Sequence, residues 1–174
     1  ISMSENKFLR WMTSQTDSIY WHDSAIISEM EDAMGNGAVG VTTNPFLVNA
    51  TLQAQPEYWA GIINDVPRDL KGVAKVEALM QKVTGHIAEK LMPLYETGDV
   101  RVGRCCAQTN PNKPGDFQSI MEQATRYATW NPNICVKLPG TNAGIKAVEE
   151  CSALGMNVVC TVSFTVPQVL AIGA

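Results

Sequence analysis

The chain has 174 residues, 45% hydrophobic and 17% charged, with a formal net charge of -4; that is enough for one domain with a real core and short for two. The acidic balance leaves no basic field to recruit a phosphate backbone, so nucleic acid is not an expected partner. No long stretch is free of polar residues, and the opening ISMSENKFLRWM lacks the basic-then-apolar order of a signal peptide; neither a membrane partner nor export is expected, and the reading is cytoplasmic.

In chain order, SIYWHD (18–23) reads as a first strand. A helix follows through SAIISEMEDAMGNG, with Gly35 and Gly37 as stop signals. AVGVTTNP (38–45) is a second strand, closed by a proline that cannot continue a ladder. Apolar residues at 70, 73, 76, 80, 83, 87 and 91 mark one long amphipathic helix. VRVGRCCAQ (100–108) is a third, less regular strand, and 116–130 a helix with Phe117, Ile120, Met121, Ala124 and Ala128 on one side. NICVKLPGT (133–141) contains the fourth strand, followed by a helix from about Asn142 to Leu154 whose stripe is Ile145, Val148, Cys151 and Leu154. MNVVCTVSF (156–164) is the fifth strand, and VPQVLAIGA begins another helix. Strands alternating with helices imply an α/β single domain around a parallel sheet. Five strands fit either a doubly wound open sheet or the first five units of a (β/α)8 barrel, and length alone favours the open sheet.

A strand covered on both faces reads as a continuous apolar run, so a polar residue inside one needs a reason. By alternation, Ile134, Val136 and Leu138 share one face of the fourth strand and Cys135 and Lys137 the other. Val159, Thr161 and Ser163 share a face of the fifth, Thr42 and Asn44 of the second, Cys106 and Gln108 of the third. Asp23, Asn44, Gln108, Lys137 and Thr161 thus stand at strand carboxyl ends, where α/β proteins bind ligands. Each has a plainer reading: Asp23 as a helix cap, Asn44 as a turn residue, Thr161 as strand filler, Lys137 as a guard on an exposed edge. A lysine buried in such a strand has its ammonium form disfavoured, and the free amine attacks carbonyls to form a Schiff base. The five cysteines, at 105, 106, 135, 151 and 160, lack zinc-site spacing and read as buried reduced thiols, while His22 and His86 form no recognisable ligand set. No metal is expected.

GVTTNPFLV (40–48), VKLPGT (136–141), GIKAVEECSALGMNV (144–158) and TVSFTVPQ (161–168) resemble, in order, motifs of the transaldolase family. The similarity runs from about residue 19 to the end and is weakest over 49–99. It implies a (β/α)8 barrel, incomplete here, that transfers a dihydroxyacetone unit between sugar phosphates without cofactor or metal, and a homo-oligomer. It also implies roles: Lys137 as the imine-forming nucleophile, Asp23 as acid/base, Thr161 as holder of the dehydration water with Gln108 beside it, and Asn44, Thr42 and Ser163 as substrate-binding groups.

Gln108 stands where transaldolases usually carry a glutamate and where the related fructose 6-phosphate aldolases resemble this chain, so aldol cleavage releasing dihydroxyacetone is an alternative. Thr161 matches the transferase pattern. Val159, Thr165 and Asn142 replace a frequent asparagine, serine and tryptophan. A complete barrel takes about 200 to 250 residues; this chain stops after a fifth strand, before the family's phosphate-binding residues, so a truncated form is expected. A non-catalytic binding or assembly module is the reading from outside enzymology.

Overall fold

A computed structural model describes residues 6–174; residues 1–5, part of the opening segment read above for targeting order, lie outside the described residues. The chain divides into two compact units, Ile1–Cys105 and Cys106–Ala174.

The first unit opens with α1 (Lys7–Gln15), a helix the sequence reading did not anticipate. Phe8, Trp11 and Met12 stand at helical spacing, yet the helix buries no residue and leaves Phe8 and Trp11 exposed. Polar bonds fix it instead: the Asn6 side chain caps it at Leu9 N–H, the Asn6 N–H donates to Asn36 Oδ1 (2.7 Å), and Arg10 Nη2 donates to Gly35 O (2.8 Å). Strand β1 (Tyr20–His22) pairs in parallel with β2 (Ala38–Val41), and α2 (Ile27–Gly35) between them buries Ile27, Met30 and Ala33.

Two further unanticipated helices follow, α3 (Pro45–Ala54) and α4 (Pro56–Ala60), each with proline at its start, where a missing N–H costs nothing. The long helix is α5 (Gly72–Tyr95). Its stripe is buried at Met80, Val83, Ile87 and Leu91, while Val73 and Val76 are exposed, so the packed face begins two turns in. Trp59 of α4 is fully buried and donates from Nε1 to Thr51 Oγ1 at 3.0 Å. His86 of α5 lies edge-on to Trp59 and Tyr58, with Nε2 2.7 Å from the Tyr58 hydroxyl.

Strand β3 (Arg104–Gln108) starts later than the expected 100, because 99–103 form a turn and Gly103 N–H donates to Val39 O at 2.6 Å. The Arg104 guanidinium, on a buried residue, lies 4.8 Å from the Tyr95 ring centroid. Beyond β3 come α6 (Phe117–Tyr127), β4 (Ile134–Pro139), α7 (Asn142–Ala153), β5 (Val158–Thr161) and α8 (Val166–Gly173). Helix α6 buries Ile120, Gln123, Ala124 and Tyr127; α7 buries Gly144, Ala147, Val148 and Cys151 but leaves Leu154 exposed. The five cysteines are not joined by disulfides, and Cys160 alone is not buried. Residues 156–174 carry no charged side chain, and Phe164, Val166, Val169 and Leu170 are exposed.

The strand order is β1-β2-β3-β4-β5. A doubly wound sheet places its strands in non-consecutive order around a switch point, so consecutive order excludes that option, which length had favoured. With a helix after each strand, this is the topology of an incomplete (β/α)8 barrel.

Burial pushes the pKa of His86 below 6.5, with Lys90 adding and Glu89 opposing; burial does the same to His22, against Glu29, Asp23 and Asp32. Below 6.5 the unfolded chain therefore binds more protons than the folded one, and stability falls as pH drops through that window. Urea midpoints are expected to hold level from about pH 8 to about pH 7 and to decline toward about pH 5, with a His22→Gln, His86→Gln double variant flattening that segment. Asp65 and Asp99, held low by Lys82 and by Arg101, produce a separate loss below 3.8 that the double variant retains.

Candidate active site

The first unit contributes Asp23, Thr42 and Asn44. The Thr42 hydroxyl donates to Asp23 Oδ1, and the Thr42 N–H donates to His22 O at 2.8 Å. Asp23 is not a helix cap: the N-cap of α2 is Ile26, without a side-chain bond, and Ile27 N–H is taken by Gln55 Oε1 at 2.9 Å. Its side chain is exposed and is held by the Thr42 hydroxyl. Asn44 does cap a helix, its Oδ1 accepting from Leu47 N–H at 2.9 Å; the cap occupies the amide oxygen and not the NH2. The sequence reading set His22 aside, yet its Nε2 is buried without a hydrogen-bond partner, and Nδ1 lies 3.3 Å from the Tyr20 hydroxyl.

The second unit contributes Gln108, Lys137, Thr161 and Ser163. Lys137 stands on an inner strand. Its carbonyl accepts from Thr109 N–H (3.1 Å) at the end of β3, and on the other side Lys137 is opposite Val159 and Pro139 opposite Thr161 in the parallel register of β4 with β5. That removes the edge-guard reading. Val136 and Leu138 beside it are fully buried, as the alternation requires, whereas Lys137 itself is half-buried rather than dry.

Gln108 ends β3 and Thr161 ends β5, and both line one cavity of about 360 Å³ with Thr109, Asn110, Gly140, Val162 and Gln168. Neither Lys137 nor Ser163 is among the lining residues. Ser163 departs from expectation because β5 ends at Thr161: Val162 has φ of 62°, which turns the chain out of the pleat and voids the alternation used to place Ser163. The Ser163 hydroxyl lies 3.8 Å from Cys160 Sγ instead. A β-branched residue in that conformation costs on the order of 1–3 kcal/mol, strain that marks a site held by its surroundings. Among the described residues no group of three or more His, Cys, Asp or Glu could hold a metal ion, and no helix is long and apolar enough to cross a membrane.

A sequence model described as transaldolase/fructose-6-phosphate aldolase matches residues 20–173. The chain belongs to this family. Transaldolase 1 of Streptomyces avermitilis is 31% identical over 136 residues, which are 75% of this chain and 35% of that protein. Transaldolase 2 of Nostoc punctiforme is 29% identical over 159 residues, 90% of this chain and 40% of the relative. The transaldolase of Thiobacillus denitrificans is 28% identical over 141 residues, 79% and 39%. The chain therefore spans well under half the length of these curated relatives.

Within the transaldolase-family motif VKLPGT, the end of β4 is locked by close approach. Thr141 caps α7 through Gly144 N–H (3.1 Å) and donates its hydroxyl to Pro114 O. A Cβ on Gly144 would strike the Pro139 carbonyl oxygen, a backbone atom that cannot move without shifting β4. Gly144→Ala is expected to lower stability by about 1–3 kcal/mol. Gly85→Ala, in α5 where an added methyl meets nothing within 4 Å, is expected to be neutral or to stabilise by about 0.5–1 kcal/mol. Urea denaturation of the two variants checks the contrast.

Proposed function

We propose that this protein catalyses Schiff-base aldol chemistry on a phosphorylated ketose, transferring its dihydroxyacetone unit to an aldose phosphate. The supporting observation is the cavity that brings Gln108 and Thr161 together at the ends of β3 and β5, with the strand of Lys137 lying between those two in the sheet order. Family membership adds to it: the chain matches proteins named transaldolase.

Lys137 Nζ attacks the ketone carbon with its lone pair, giving a carbinolamine. Loss of the hydroxyl as water, held by Thr161 and Gln108, gives the protonated imine. Asp23 then takes the proton of the hydroxyl next to the scissile bond, the carbon-carbon bond breaks, and its electron pair moves into the iminium to form an enamine. The aldose product leaves. The enamine carbon attacks the aldehyde of the acceptor, Asp23 returns its proton to the new alkoxide oxygen, and hydrolysis of the new imine frees Lys137. Asn44 fits the role of donor to a substrate hydroxyl, since its amide NH2 is not used by the cap; Thr42 holds Asp23.

Gln108 favours a second reading within the same chemistry. It stands where the related fructose 6-phosphate aldolases resemble this chain; there the enamine carbon takes a proton instead of attacking an acceptor, water hydrolyses the resulting imine, and free dihydroxyacetone is released.

Lys137→Met is expected to lower turnover of fructose 6-phosphate by about a thousandfold or more while the fold is kept. Turnover within about tenfold of the parent would reject the lysine as nucleophile. With an aldose phosphate present, Gln108→Glu is expected to raise the ratio of transfer to release; an unchanged ratio assigns that partition to another residue.

A further inference from the structure

We infer that Gln168, in the first turn of α8, is a positioning residue: its side-chain amide holds Val162 left-handed and so fixes Thr161 at the cavity wall. The inference rests on the reading of Thr161 given above, although its conformational part does not.

Both ends of the amide are engaged. Gln168 Oε1 accepts from Phe164 N–H (3.1 Å), Thr165 N–H (3.1 Å) and the Thr165 hydroxyl (3.0 Å), and Gln168 N–H donates to Thr165 Oγ1 (3.4 Å), which with the Thr165 N–H bond makes a capping box at the start of α8. Capping accounts for these bonds and for nothing more. The other end reaches away from the helix: Nε2 donates to Gly140 O at 2.8 Å and to Val162 O at 3.2 Å. Those carbonyls belong to the turn after β4 and to the residue with φ of 62°. Gly140 N–H in turn donates to Thr161 O at 2.7 Å, so the amide, Gly140, Thr161 and Val162 are joined by consecutive hydrogen bonds. All four residues line the cavity.

The fit is specific to an amide. A carboxylate would set lone pairs against two carbonyl oxygens, and a methionine would fill the space without donating. Valine does not take a left-handed conformation by preference, and removing the two donated bonds leaves this turn with the single bond from Gly140 N–H to Thr161 O. Close packing adds a constraint, because a Cβ on Gly140 would lie 2.9 Å from Ser163 Oγ and 3.1 Å from Val162 O.

The test uses three variants of the whole chain: Gln168→Met, Thr165→Val, and Gln168→Met combined with Val162→Gly. Amide NMR signals of Gly140 and of 161–164 are read alongside turnover. In Gln168→Met these signals are expected to move and Gly140 N–H to exchange about tenfold faster, with kcat reduced by about tenfold or more and KM changed less. Thr165→Val, which weakens the cap alone, leaves the Gly140 and Thr161 signals in place. Adding Val162→Gly to Gln168→Met returns the signals and most of kcat, because glycine holds a positive φ without the amide. Unmoved signals in Gln168→Met, an equal disturbance in Thr165→Val, or no recovery with Val162→Gly overturns the inference. Signals that move and return while even the parent turns nothing over leave the positioning role standing and reject the catalytic reading beneath it.

Discussion

The parallel register of β4 on β5, Lys137 opposite Val159 and Pro139 opposite Thr161, sets what the second unit can hold. Successive side chains alternate across a pleated strand, so Lys137 and Thr161 share one face, with Thr161 two residues, roughly 6.6 Å, nearer the carboxyl end. A one-residue slip would turn Thr161 to the opposite face. The register is kept by packing on the other side, where Ile134, Val136 and Leu138 are buried and cannot be exchanged for Lys137 without burying an ammonium group.

The turns beyond these strand ends are short and crowded, which is why local rules are broken there. Gly144 allows α7 to start against the Pro139 carbonyl, Gly140 allows the β4 end to cross the 161–163 segment, and Val162 accepts an unfavourable φ. Each is costly or impossible for an average residue, and together they confine conformational freedom beside the cavity that Gln108 and Thr161 line. In the first unit the corresponding fixing is polar: Thr42 holds Asp23, and Asn44 caps α3.

What could be read from sequence follows from which forces leave a pattern. The inner placement of Lys137 was legible because an apolar strand with a single lysine violates a burial rule, and the order of strands and helices because their periods differ. Consecutive strand order was not legible, since nothing in five βα units states which neighbour each strand takes; the length argument pointed to an open sheet and the pairing overruled it. Helix α1 was legible from Phe8, Trp11 and Met12 at helical spacing and was not read; the folded chain buries none of them and holds the helix through Asn6 and Arg10. Ser163 was assigned to the inner face by extending alternation through Val162, whose backbone ends the strand. Leu154, Val73 and Val76 fit helical stripes yet are exposed, because a stripe states which face is apolar and not how far a partner extends along it. Gln168 could have been suspected from Thr165 three residues before it, a capping-box spacing, but its second set of bonds exists only in the folded chain.

The central claim is that Lys137 is the group that bonds covalently to a ketose. Borohydride reduction in the presence of fructose 6-phosphate, followed by peptide mass mapping, tests it most directly. The account predicts a single reduced adduct, carried by the peptide containing Lys137 and absent without the sugar; no adduct, or one on another lysine in place of Lys137, would contradict it.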